Sequence, residues 1–160
     1  MTKRLVIVSY ALLLLAGCGA ATDPEQIRWR VSLVSSGGIA GEGTGNVVAS
    51  SDGNVTVERL TRTCHSKLTA ENLRGLQRSV AAVAPGRWQT GYLPSDQQVC
   101  CDRLSWRLDV ELEGTDGTVR HAQADWHEAA VNQLPEDLAD LALLARRLLE
   151  HTEEGCEARQ

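Results

Sequence analysis

Phenylalanine is absent from this chain of 160 residues, methionine occurs once and proline four times. The aromatic content falls to four tryptophans and two tyrosines, so each large ring has more packing to do than usual. The spaced patterns that chemistry requires are also missing. His65, His121, His127 and His151 form no H-E-x-x-H pair, and each reads as a surface histidine. No serine sits in a G-x-S-x-G elbow. The glycine-rich run from Gly37 to Gly45 lacks the lysine and following hydroxyl of a phosphate loop. It leads into a strand, so no helix N-terminus waits there for a phosphate. The acidic residues are scattered through turns and helix starts, where capping and solubility account for them. No nucleophile, base and oxyanion donors assemble. The expectation is a non-enzyme with no metal and no cofactor. Basic charge is not clustered and the net charge is −5, which disfavours a nucleic-acid partner.

The first eighteen residues carry the clearest signal. Lys3 and Arg4 precede an apolar run from Leu5 to Ala16. That is the layout of a secretory signal peptide, and the run is too short for a bilayer, which needs roughly 20 residues. The closing Leu15-Ala16-Gly17-Cys18 resembles the lipobox of bacterial lipoproteins. The resemblance implies a diacylglycerol on the Cys18 sulfur, cleavage of residues 1–17, and acylation of the new N-terminus. Gly19, where an aspartate would retain the protein in the inner membrane, implies an outer-membrane lipoprotein facing the periplasm. Acyl chains at about 0.8 kcal/mol per buried CH₂ make a stable anchor. Residues 18–25 then form the lipidated tether and residues 26–156 a single domain. Losing residues 1–17 leaves 14 basic and 21 acidic residues.

With Cys18 lipidated, Cys64, Cys100, Cys101 and Cys156 remain. Four cysteines in an oxidising compartment imply two disulfides. A bond between neighbours Cys100 and Cys101 is geometrically poor. Cys64 therefore pairs with one of them and Cys156 with the other. The competing reading is a zinc site of Cys64, His65, Cys100 and Cys101. Its spacing matches no common zinc motif, and free thiolates are disfavoured outside the cytoplasm.

Alternation of Ile27, Trp29, Val31 and Leu33 with polar residues predicts a strand. Residues 46–50 predict a second. Asp52-Gly53 marks a hairpin turn into a third strand over 55–64, irregular near Arg59. Thr69 caps a helix whose apolar stripe is Leu73, Leu76, Val80 and Val83, and Pro85-Gly86 stops it. Residues 85–99 read as a loop. Leu104 to Leu112 alternates most cleanly, Gly114 to Gly117 is a hairpin loop, and residues 118–126 form the partner strand. Leu134-Pro135-Glu136-Asp137 opens a second helix, with Gly155 beyond its end. The order βββ–α–ββ–α predicts a two-layer α+β domain. An antiparallel sheet of about five strands packs two helices on one face and leaves the other face charged. Trp29, Trp106 and Trp126 share the phase of the core. Trp88 and Tyr92 lie in the loop, where they either anchor a partner or fold down over the sheet.

The order and several short motifs resemble the emfourin family, small bacterial inhibitors of thermolysin-like (M4) metalloproteases such as protealysin. The matching residues are Gly37-Gly38-Ile39-Ala40-Gly41 after the first strand and the leucine-rich helix Leu68 to Val83. They continue with the strand Trp106-Arg107-Leu108-Asp109-Val110, its glycine-containing hairpin, and the terminal Leu134-Pro135-Glu136-Asp137-Leu138 helix. The match covers roughly residues 26–150. It departs from the family in the lipid anchor, the longer 85–101 segment with two cysteines, and the C-terminal cysteine tail. The resemblance implies an anchored inhibitor that occupies the cleft of a secreted or envelope metalloprotease. Gly37, Gly38, Ile39, Ala40, Gly41, Trp88 and Tyr92 would supply the contacts. The competing expectation is an envelope adaptor or assembly lipoprotein that binds a membrane-protein partner and inhibits nothing.

Overall fold

The computed structural model describes residues 27–38, 45–59, 62–94 and 103–156, with side chains through Thr152. The signal segment, Cys18, Ile39, Ala40, Gly41, Cys100, Cys101 and the Cys156 side chain lie outside the described residues.

Seven strands form one sheet: β1 (Arg28–Ser36), β2 (Gly45–Ser50), β3 (Asn54–Arg59), β4 (Arg62–Lys67), β5 (Gly91–Tyr92), β6 (Ser105–Glu113) and β7 (Val119–His127). Their spatial order is β4-β3-β2-β1-β6-β7-β5. Every pairing is antiparallel except the short β5, which runs parallel to β7. Helices α1 (Ala70–Ala82) and α2 (Glu136–Cys156) pack side by side, and α2 also meets β1 to β4.

The class is α+β, as the alternation predicts, and the strand count is higher. The expected third strand is a hairpin: Arg59 pairs with Arg62, so the chain reverses where the irregularity lies. β4 is an edge strand, and only Cys64 on it packs against the core. Such a strand leaves no period-two signal, and its charged ends suit an unpaired edge. β5 is two residues long, within the segment read as loop, and it makes the sheet mixed. Helix α2 continues through Gly155 to Cys156. A helical glycine costs about 1 kcal/mol relative to alanine, which a long packed helix tolerates.

One face of the sheet is apolar. Trp29, Val31 and Leu33 of β1 meet Leu112, Val110 and Leu108 of β6 rung by rung. Leu76 and Val80 of α1 and Leu138, Leu141, Ala145 and Leu149 of α2 complete the core. The face away from the helices is polar. One of its rungs reads Thr63, Glu58, Asn46, Val34, Arg107, Asp125 from β4 to β7.

The β2–β3 and β6–β7 hairpins share one turn chemistry. Gly53 (φ +82°) and Gly117 (φ +79°) take the left-handed position of three-residue loops. Asp52 accepts from the Asn54 N–H at 3.1 Å and Asp116 from the Thr118 N–H at 3.0 Å. Hydroxyl hydrogen bonds, from Ser50 to Asp52 and from Thr118 to Asp116, are the main reason both carboxyls lie below their ordinary pKa. Because L-residues are strained at positive φ, Gly53→Ala and Gly117→Ala are each expected to cost about 1–2 kcal/mol. Urea unfolding would show this as a lower midpoint at unchanged slope.

Candidate partner-binding site

β1 is the central strand, and the chain leaves it in an unusual conformation. Gly37 has φ +94° and Gly38 φ +82°. A Cβ on Gly37 would lie 2.5 Å from the Arg103 carbonyl oxygen. Conformation and close approach thus both require glycine here. The first residue of β6 pins this exit point: Ser36 pairs with Ser105, and Ser105 with His127.

Beside this exit lies an open cleft of about 330 Å³. Val34, Tyr92, Leu93, Arg107, Asp125 and Trp126 contribute to its walls. Arg107 Nε donates to Asp125 Oδ1 at 2.7 Å, and that hydrogen bond holds the guanidinium pKa above its ordinary value. On the neighbouring rung, partial burial pushes the Asp109 carboxyl up, against the pull of Arg107. Beneath the cleft, Trp106 and Trp126 stack with centroids 6.5 Å apart and planes at 15°.

The residues predicted to contact a partner divide into three groups. Gly37 and Gly38 stand at the rim. Ile39, Ala40 and Gly41 lie outside the described residues. Trp88 and Tyr92 fold inward, the second of the two alternatives their loop offered, and not outward as partner contacts. Trp88 is half-buried, and its Nε1 donates to Asp137 Oδ2 at 3.0 Å. Tyr92 is 6% exposed, and its hydroxyl accepts from the Gln89 N–H at 3.0 Å. The exposed apolar group at this end is Leu93, 75% exposed. No periodic or motif signal marks a lone leucine in a loop. His127 is likewise not a surface residue. It is buried, and its Nδ1 accepts from the Ala129 N–H at 3.4 Å, which caps the short 3-10 turn Glu128–Gln133.

No disulfide joins two of the described residues. Cys64 is itself disulfide-bonded, with its partner outside them. A half-cystine offers zinc no thiolate. His65 Nδ1 lies 3.1 Å from the Thr56 hydroxyl. Among the described residues no three His, Cys, Asp or Glu side chains converge as a metal site. Compared with known proteins, the chain matches no family model and no curated protein sequence.

Asp137, in the first turn of α2, holds the folded-down Trp88 segment in place. Its Oδ2 accepts from the Ala84 N–H at 2.9 Å as well as from Trp88. Burial pulls its carboxyl pKa upward, and these hydrogen bonds outweigh it, so the net shift is downward. A depressed carboxylate stabilises the fold above its unfolded pKa of about 3.9, and that contribution fades as pH falls through the folded value. Asp137→Ala is expected to cost about 1–2 kcal/mol at neutral pH and to shift Trp88 emission to longer wavelength. The variant should also lose less stability than the native chain on acidification below about pH 4. Reduction of the Cys64 disulfide is expected to remove about 3–5 kcal/mol in the chain-entropy model. Chemical unfolding with and without reductant checks this.

Proposed function

We propose that this chain is a membrane-anchored, non-enzymatic inhibitor of thermolysin-like metalloproteases. In this reading lipid on Cys18 holds it at the outer membrane, facing the periplasm. The observation that carries the reading is the pair of left-handed glycines, Gly37 and Gly38, leaving the central strand at a pinned point. An inhibitor gains affinity by presenting a preorganised loop to a protease cleft, because little ordering remains for binding to offset. β1, hydrogen-bonded on both sides at the centre of the sheet, is a constrained strand from which to launch such a loop. Leu93 supplies an apolar contact on the adjoining cleft. Disulfides of Cys64 with Cys100 or Cys101, and of Cys156 with the other, would help the domain survive its target.

A second reading, an envelope adaptor that inhibits nothing, draws on the open sheet face. That face carries both signs of charge, and its half-buried Asp109 suits a protein interface.

The test is titration of the processed, oxidised chain in detergent against thermolysin-like proteases. Stoichiometric inhibition is expected. Gly38→Arg and Leu93→Asp should each weaken it by about tenfold or more, and Leu93→Asp should leave thermal unfolding unchanged because its side chain is exposed. Two variants that inhibit like the native chain would remove the rim from the site. Absence of inhibition by an intact, uncleaved chain would overturn the inhibitor reading in favour of the adaptor, which crosslinking to membrane-protein partners then tests.

A further inference from the structure

A second cavity lies at the opposite end of β1, between α1 and the sheet. It measures about 70 Å³, and Ile27, Trp29, Gln77, Val80, Leu112 and Arg120 are among its lining residues. Trp29, Leu112 and Arg120 occupy one rung of β1, β6 and β7 on the helix-covered face. Trp29 is 4% exposed, and its indole Nε1–H is buried without a hydrogen-bond partner. A buried donor with nothing to donate to is uncommon and calls for an occupant. Arg120 forms no ion pair among the described residues, and its charge is the smallest contribution to the lowered Asp116 pKa.

The three polar groups at this cavity agree in sign. An indole N–H only donates, a guanidinium only donates and is always charged, and the Gln77 amide can donate. The remaining walls are aliphatic. The space holds about two waters' volume, which is the size of a carboxylate head with a very short tail. From this geometry we propose that the cavity binds a small aliphatic carboxylate. One carboxylate oxygen accepts from Trp29 Nε1 and the charge faces Arg120, while the tail meets Ile27, Val80 and Leu112. The acid is either a free small molecule or the carboxylate end of a longer one. This site is separate from the glycine rim and does not depend on protease inhibition.

The test follows the indole N–H signals of the processed chain in detergent by nitrogen-15 NMR, with propanoate as the probe. Trp29→Phe assigns the Trp29 signal. Propanoate is expected to move that signal downfield and saturably, whereas propanol and propylamine leave it in place. Arg120→Gln, an exposed position whose change spares the core, should keep the signal and weaken the propanoate response by about tenfold or more. N-acetylalanine separates the two sources: a matching shift assigns a carboxylate chain end, and a response to propanoate alone assigns a free small acid. The proposal is overturned by a Trp29 signal that does not move, meaning that water alone fills the cavity. An equal response to propanol, or a propanoate response unchanged in Arg120→Gln, overturns it as well.

Discussion

The pairing of β1 with β6 is the contact on which the rest of the molecule depends. Nine residue pairs, from Arg28 with Glu113 to Ser36 with Ser105, join a meander of β1 to β4 to the β6–β7 hairpin. Each half pairs strands that are neighbours in sequence, with Asp-Gly turns between β2 and β3 and between β6 and β7. The seam between them spans most of the domain's sequence, so its closing entropy must be offset by what it buries. The rungs are accordingly the most apolar in the sheet: Trp29 with Leu112, Val31 with Val110, Leu33 with Leu108. A slip of one residue would turn this whole set toward solvent, so the register is strongly specified. The same register brings Gly37 against the Arg103 carbonyl and places Trp29 and Arg120 on one rung. Both candidate sites therefore depend on this pairing, together with that of β6 and β7.

The absence of phenylalanine shapes how the core is tied to the helices. A tryptophan offers a polar edge that phenylalanine lacks, and the chain uses it. Trp106 donates its indole N–H to Glu128, and Glu128 accepts from Arg146 of α2 at 3.1 Å. The Arg146 guanidinium lies 5.1 Å from the Trp106 ring centroid and also reaches Glu150. Sheet, turn and helix are thus linked through one indole that stacks on Trp126. Trp88 does the same at the start of α2 through Asp137. Trp29 has the same chemistry and no such partner, which makes its bare N–H stand out.

The elements legible in the sequence were those with one buried face. β1, β2, β6 and β7 alternate because one side meets the helices, and both helices show an apolar stripe for the same reason. The hairpins were legible because Asp-Gly suits a left-handed position. β4 is polar on nearly every residue, and β5 is too short to show a period, so neither could be read. Burial of His127 escaped, and the choice between an exposed and an inward-folded Trp88 and Tyr92 stayed open, for a different reason. Trp88 is held by a long-range hydrogen bond to Asp137, and His127 and Tyr92 by local side-chain bonds to the Ala129 and Gln89 N–H groups, and hydrophobic spacing carries no trace of such bonds. At the candidate site, Gly37 and Gly38 were legible as an interruption of a strand. Leu93 and the Arg107–Asp125 pair were not, since only the strand order β6-β7-β5 brings them beside the glycines.

The direction of β1 bears on how an anchored protein would work. The strand begins at Arg28, near the proposed tether, and ends at Ser36, beside the glycine rim. Nine residues of strand place these ends about 27 Å apart. With lipid on Cys18, the tether enters at the Trp29 end, and the Gly37–Gly38 rim lies at the far end of a stiff, doubly paired strand. A macromolecule could then approach the rim without colliding with the membrane, while the small Trp29 cavity, at the tether end, is reached only by small molecules or a narrow chain end. The two proposed sites differ in size and chemistry in keeping with their positions: an open cleft with an exposed leucine, wide enough for a protein loop, and a narrow, donor-lined cavity of about 70 Å³ that is not.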